Sequence, residues 1–503
     1  MTVDATALAR ALAAQEALDL AAAFRLRGVV AQVGDGVARV LGLDSVGSEE
    51  LVVFDSGAYG MAYDVAATYT GVVLLTDSDR VRVGQGVSPV GTLPQITAGR
   101  ELLGRVVDPF GQPLDDLPAP RGALRSVFAD APELAARASV TRPLHTGVMA
   151  IDAAIPIGRG QRQLILGDRN VGKTALALDI VVAQRTRDIK CVYVVIGQPL
   201  SRVLAIRAAL RESDALRYTV VIAADAADAP AMQYLAPYAA MAVAERFRED
   251  GDDAIVVLDD LTKHADAYRE LALLLGRPPG REAFPGDIFY IHGQLLERAS
   301  AFNDAAGGGS ITVFPIAETT DNDISAYIPT NLISITDGQI YLDTARFERN
   351  LRPAIDIGKS VSRIGGVAQP AVMRAAAKNV RIDIARFESL ETLTRVGLDV
   401  DAKTRATLDR GRTLRELLRQ PRVSPRSIAD QVLTLTAVLE GWIDGLRPEQ
   451  ARATMEQAIA RSWAEAGDVM RALDQDERVD DDARARLRAL VEAVRREREG
   501  GDA

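Results

Sequence analysis

The stretch QLILGDRNVGKTALAL, residues 163–178, constrains this chain more than any other. An apolar run leads into a glycine-bracketed turn and out into alanine and leucine at helical density, so the turn joins a strand to a helix. Gly167 to Thr174 fit the pattern GxxxxGKT. In that pattern the backbone N–H groups of Gly167, Asp168, Arg169, Asn170, Val171 and Gly172, with the helix N-terminus behind them, face the phosphates of a nucleoside triphosphate. Lys173 supplies a point charge near the β and γ groups, and the Thr174 hydroxyl is placed to ligate Mg²⁺.

The runs around this turn predict a sheet to hold it. QLILG, CVYVVIG, TVVIAA, AIVVLDD, ITVFPIAE and LISITD are continuously apolar and separated by helix-length segments, which is the signature of a parallel sheet covered on both faces. Ahead of it, GVVAQVGDGVARVLGLDSV and the runs to residue 92 are short, β-branched and broken by GDG, DSG and VGQG turns, as in a small antiparallel β-barrel. Beyond about residue 372 a 3.6-residue period takes over. The chain is therefore read as multidomain: an N-terminal helical arm (1–25), a barrel (26–92), a central α/β P-loop domain (93–372) and a C-terminal α-helical bundle (373–503). GGGS at 307–310 is read as a surface loop.

Charge and cysteine content narrow the function classes. A formal net charge of -10 argues against a nonspecific nucleic-acid binder, which needs a basic face. The single cysteine, Cys191, lies in an apolar strand and fits a reducing compartment. No run approaches the length of a membrane span, and the N-terminus does not resemble a signal peptide, so any membrane association passes through other proteins. His145, His264 and His292 lack ligand spacing and are read as ordinary core or surface residues.

Two further strand ends carry chemistry. AIVVLDD ends in Asp259 and Asp260, and an acidic strand end is the usual second contact to magnesium. Asp259 is read as that contact, through water, and Asp260 as structural; the alternative is that either aspartate merely caps the next segment. CVYVVIGQPL places Gln198 where a hydrolase of this build needs a carboxylate. An amide cannot accept a proton from water as a carboxylate does. It can still position a water, as a glutamine does in some GTPases, so slow turnover stays open.

From residue 26 to at least 440 the chain resembles the α subunits of rotary F-type ATP synthases. The resemblance rests on VGDGVARVLGLDSV, HTGVMAIDAAIPIGRGQRQLILGDRNVGKTALALD, VVLDDLTKHADAYRELALLLGRPPGREAFPGDIFYIHGQLLERAS, ISAYIPTNLISITDGQIYL and RPAIDIGKSVSRIGGVAQ. SAYIPTN and the glutamine at 198 resemble the α rather than the β subunit. The resemblance implies a non-catalytic, regulatory site that binds Mg-ATP or ADP through Lys173, Thr174, Gln198 and Asp259. It places the adenine against Arg352, Pro353, Gln420 and Arg422. It further implies that Arg363 reaches into a neighbouring β site in trans, with Ser334 and Val361 lining the same interface.

The implied partners are β subunits in an alternating α3β3 ring, the γ and ε central stalk, a peripheral stalk and the Fo membrane sector. The implied location is the cytoplasmic face of a bacterial plasma membrane. Arg422 and Asn170 depart from the family pattern, which has glutamine at both positions, and leave base selectivity less secure. Residues 1–25 and the segment from WAEAGDVMRALDQ onward also diverge, which fits either an alternative N-type operon coupled to sodium or a divergent lineage. Two other readings compete. A homohexameric P-loop ATPase of the secretion-motor type requires a water-activating carboxylate after the P-loop, and a hexameric RNA translocase requires a basic, aromatic barrel.

Overall fold

The computed structural model describes residues 27–395 and 401–501. The expected N-terminal arm lies outside the described residues. The first unit is a closed six-stranded antiparallel barrel made of Gly28–Gly34, Val37–Leu41, Leu51–Phe54, Tyr59–Val65, Thr70–Leu74 and Gly86–Pro89. Its first hairpin turns on Asp35 and Gly36 alone, both at positive φ, which is the two-residue geometry that Asp-Gly favours. Val30, Val40, Val52, Phe54, Val72 and Val87 fill the interior.

The central sheet has, in order, Val361–Ser362, Gly338–Leu342, Leu164–Asp168, Ser310–Thr319, Asp253–Asp259, Lys190–Gln198, Thr219–Asp225 and Val106–Val107. All neighbours along this path are parallel except the edge strand Val361–Ser362, which runs antiparallel. The strand Lys190–Gln198 shows why its sequence reads as a continuous apolar run. Cys191, Tyr193 and Val195 face the core that holds Leu176 and Ile180, while Val192, Val194 and Ile196 face the core that holds Tyr234 and Leu261. Both faces are covered, so alternation between apolar and polar residues disappears.

One expected strand is not there. LISITD belongs instead to the helix Tyr327–Ile335 and the turn after it, and the strand is supplied by Gly338–Leu342. Ile328 and Leu332 are buried four residues apart on the helix while Ser334 faces outward, a helical period hidden inside a short apolar run. The GGGS stretch is only half a surface loop. Its tip is at Gly307 and Gly308, but Gly309 and Ser310 are buried and Ser310 begins a sheet strand.

From Ala371 onward the described residues that form regular structure are helical: Ala371–Ala376, Val380–Arg395, Ala402–Leu417, Ile428–Leu439, Pro448–Glu465, Gly467–Asp474 and Asp481–Gly501. Their core is continuous with one face of the central domain. A buried polar network pins the junction. The Asp152 carboxylate accepts from the N–H groups of Thr146 and Gly147, the Thr146 hydroxyl and the Gln431 amide, and lies 2.9 Å from His145 Nδ1. His145 Nε2 lies 2.9 Å from the Arg426 carbonyl. The loop at 419–426 is held against the helix Lys173–Val182 by the Val423 N–H, which donates to Asp179 Oδ1 at 2.7 Å.

Candidate functional site

The P-loop strand Leu164–Asp168 lies between two parallel neighbours, and the helix Lys173–Val182 leaves its end at once. Two loop residues take left-handed backbone, Asn170 at φ 65° and Gly172 at φ 104°. Asparagine tolerates that region better than most side chains, which gives the departure at 170 a local rationale. Gly167 is required by close packing, since a Cβ there would stand 2.6 Å from the Leu342 carbonyl oxygen. The Asp168 carboxylate is turned away from the loop, accepting from the Asn322 N–H and the Thr319 and Thr344 hydroxyls. Its contribution at the loop is therefore backbone.

Lys173 is buried, and its ammonium donates to the carbonyls of Gly167 at 2.8 Å and Asp168 at 2.7 Å. Burial pulls it below the ordinary lysine range, opposed by Glu318, Asp260, Asp259 and Asp168.

Asp259, at the end of the neighbouring acidic strand, gathers donors from three elements. Thr174 Oγ1 donates to Oδ2 at 2.7 Å and Tyr193 Oη to the same oxygen at 2.9 Å, while Gln198 Nε2 donates to Oδ1 at 3.0 Å. Burial pushes this carboxyl up, against those hydrogen bonds. Gln198 also donates to the Asp259 carbonyl at 3.0 Å, so its amide clamps this aspartate. Asp260 caps the helix Leu261–Leu274, accepting the Lys263 N–H at 2.8 Å. A carboxylate and a hydroxyl held together beside the P-loop are the oxygen donors a magnesium ion requires.

Beyond the loop opens a cavity of about 430 Å³ lined by Val171, Leu176, Asp179, Arg352, Pro353, Gln420 and Arg422, among others. All four residues expected at the base are therefore brought together there. The Arg352 guanidinium lies over the Phe347 ring, 4.8 Å from its centroid. Arg419 and Arg452, also in the lining, are paired with Glu416.

Arg363, Ser334 and Val361 lie elsewhere. Ser362 pairs with Gly338 on the edge strand, and the Arg363 N–H donates to the Asp337 carbonyl at 2.8 Å. Leu342, at the other end of the same strand, pairs with Gly167 of the P-loop. Five residues at about 3.3 Å each put the Arg363 backbone roughly 16 Å along the sheet from the phosphate end. Its side chain is exposed and makes no hydrogen bond or ion pair to a described residue. Val361 is exposed at the same edge, and Ser334 is exposed three residues before Asp337, its hydroxyl donating to the Thr330 carbonyl at 3.0 Å.

Comparison with known proteins gives this arrangement its family. The family model described as ATP synthase alpha/beta family, nucleotide-binding domain, matches residues 147–362, and that of the ATP synthase alpha/beta chain, C terminal domain, matches residues 369–494. ATP synthase subunit alpha 2 of Polaromonas naphthalenivorans (strain CJ2) is 49% identical over 438 residues, covering 87% of this chain and 84% of that protein. The chain belongs to the F-type ATP synthase α subunits.

In this family member the structure adds residues to the site that sequence reasoning passed over. Glu318 is the penultimate residue of the strand Ser310–Thr319, paired in register with Gly167, and its carboxylate lies 3.8 Å from Lys173 Nζ and 3.4 Å from Arg169. Its signal was present in ITVFPIAE, an acid closing an apolar strand, as in AIVVLDD. Tyr193 gave no signal, because its hydroxyl meets Asp259 only through the pairing of two strands. Asp179 stands two turns into the P-loop helix and faces the cavity.

Proposed function

We propose that this chain is the nucleotide-holding, non-catalytic α subunit of the F1 sector of a rotary ATP synthase. It binds Mg-ATP or ADP at its own P-loop and lends Arg363 to the site of an adjacent β subunit. The observation that carries this reading is the placement of Arg363, unpartnered by any described residue and at the opposite end of the sheet from its own P-loop. A guanidinium there is too far to serve the phosphates of its own chain and is presented outward, as an arginine supplied in trans must be.

Within its own site the residues divide the work of holding a triphosphate. The loop N–H groups and the helix N-terminus receive phosphate oxygens, and the Lys173 ammonium balances their charge. Thr174 and Asp259 would hold Mg²⁺, which when bound neutralises charge between the β and γ phosphates. Gln198 fixes Asp259 through two hydrogen bonds and offers no group that removes a proton from water. Glu318 faces Lys173 and Arg169, so its charge is committed to two cations. This arrangement favours retention over turnover and does not favour the homohexameric motor.

Membership of the family supports the following reading of the rest of the assembly. The partners are β subunits in an α3β3 ring, the γ and ε stalk, a peripheral stalk and Fo, with proton or sodium movement coupled through Fo at the cytoplasmic face of the membrane. No helix among the described residues is long and apolar enough to cross a membrane. Purification from the native host tests this directly. A β-type P-loop partner and a membrane sector are expected to accompany the chain, and isolation as a homomer that hydrolyses ATP rapidly overturns the reading.

A further inference from the structure

The C-terminal bundle encloses a second cavity, of about 240 Å³, which shares no lining residue with the nucleotide site. Its walls come from the helices Ala371–Ala376, Ile428–Leu439, Gly467–Asp474 and Asp481–Gly501, which contribute Val372, Val432, Leu433, Leu473 and Leu487. Trp442, in the turn after the second of these helices, lines the same cavity and is only 3% exposed. Its indole Nε1–H nevertheless has no acceptor among the described residues. A buried indole N–H ordinarily finds a partner, because a donor taken out of water and left unpaired is costly. The Thr436 hydroxyl, buried in the same lining, makes no hydrogen bond to a described residue either.

The charged part of the lining is cationic. Arg478 is exposed and makes no hydrogen bond or ion pair to a described residue, whereas Arg484 pairs at 3.4 Å with Glu440, which stands outside the lining. The loop that carries Arg478 is fastened to the cavity wall, since the Asp476 carboxylate accepts the Val372 N–H at 3.0 Å. Indole and guanidinium groups donate and never accept. No lining side chain is an acid or an amide, so a matching ligand brings its own acceptors and negative charge, together with an apolar body for the walls. We propose that this cavity binds a small aliphatic monocarboxylate, its tail against Leu433, Leu473 and Leu487 and its carboxylate paired with Arg478 and accepting from Trp442 Nε1. A volume below the roughly 300–1,000 Å³ of drug-sized pockets limits the tail to a short chain.

The test is calorimetric titration of the full-length chain with sodium octanoate, with octan-1-ol and octylamine as uncharged and cationic probes carrying the same tail. Octanoate is expected to saturate a single site per chain, octanol to bind about tenfold more weakly and octylamine not to bind. Arg478→Gln and Trp442→Phe are each expected to weaken octanoate about tenfold, the loss of one hydrogen bond to a charged group. Arg478→Gln should leave octanol affinity as it was. Phenylalanine keeps an aromatic ring at 442 and removes only the indole donor. Should Trp442→Phe nonetheless melt early, Arg478→Gln carries the test from an exposed position. Equal affinity for octanoate and octanol, unchanged octanoate affinity in either folded variant, or no saturable binding up to about 10 mM octanoate overturns the proposal.

Discussion

Thr174 Oγ1 donates to Asp259 Oδ2 across 2.7 Å, joining the first turn of the P-loop helix to the end of a strand 85 residues later in the chain. The hydroxyl and the carboxylate are thus held as one oxygen pair before any cation arrives, with Tyr193 and Gln198 fixing the carboxylate from behind. Preorganisation of this kind removes the cost of assembling ligands around the ion.

Replacing Thr174 by valine keeps the shape and deletes the hydroxyl. Nucleotide affinity measured in excess Mg²⁺ should fall about tenfold or more, whereas affinity measured in chelator should match wild type, because the P-loop N–H groups and Lys173 are untouched. Equal losses under both conditions would place Thr174 in phosphate binding rather than at the metal.

Arg298 is fully buried and forms a bidentate pair with Glu245, at 2.7 and 2.8 Å, while donating to the Val127 carbonyl at 2.8 Å. Arg298→Met should cost about 3 kcal/mol of stability, the low end for breaking a buried pair, because Arg125 remains 3.4 Å from Glu245. Chemical denaturation measures it. A further Glu245→Gln change should add less than its own single-variant cost, since the charge it removes has already lost its main partner.

Asp179 makes stability depend on pH in a defined window. Burial pushes its carboxyl up to about 6, against the Val423 N–H and the Arg422 charge, whereas an unfolded aspartate titrates near about 3.9. Between those values the folded protein binds the proton more strongly, so this group's contribution to stability falls as pH rises from about 4 to about 6. Relative to Asp179→Asn, wild type should lose about 2–3 kcal/mol across that interval in urea unfolding. A constant difference between the two proteins would contradict it.

What the sequence disclosed was what local chemistry determines. The Asp35–Gly36 hairpin, the doubly buried strand Lys190–Gln198 and the P-loop turn each announce themselves within a few residues. LISITD did not, since a short run with apolar residues at Leu332, Ile333 and Ile335 satisfies a strand and one face of a short helix equally well. The site divided in the same way. Lys173 and Thr174 sit in one motif, but the clamp of Gln198 on Asp259 and the engagement of Gln420 with Gly147 arise from contacts 61 and 273 residues apart. Glu318 had a legible signal, an acid at a strand end. Only the sheet order, which pairs it with Gly167, reveals that it faces the phosphate site.

The central claim is that this chain keeps its own nucleotide and gives its arginine away. Its most direct test is steady-state ATP turnover by the ring reassembled with Arg363→Ala, measured alongside nucleotide occupancy of this chain's own site. Occupancy should be unchanged and turnover should fall by about 10³ or more, the scale on which an arginine finger acts. Turnover near that of the wild-type ring, or loss of nucleotide from this chain's own P-loop, would contradict the account.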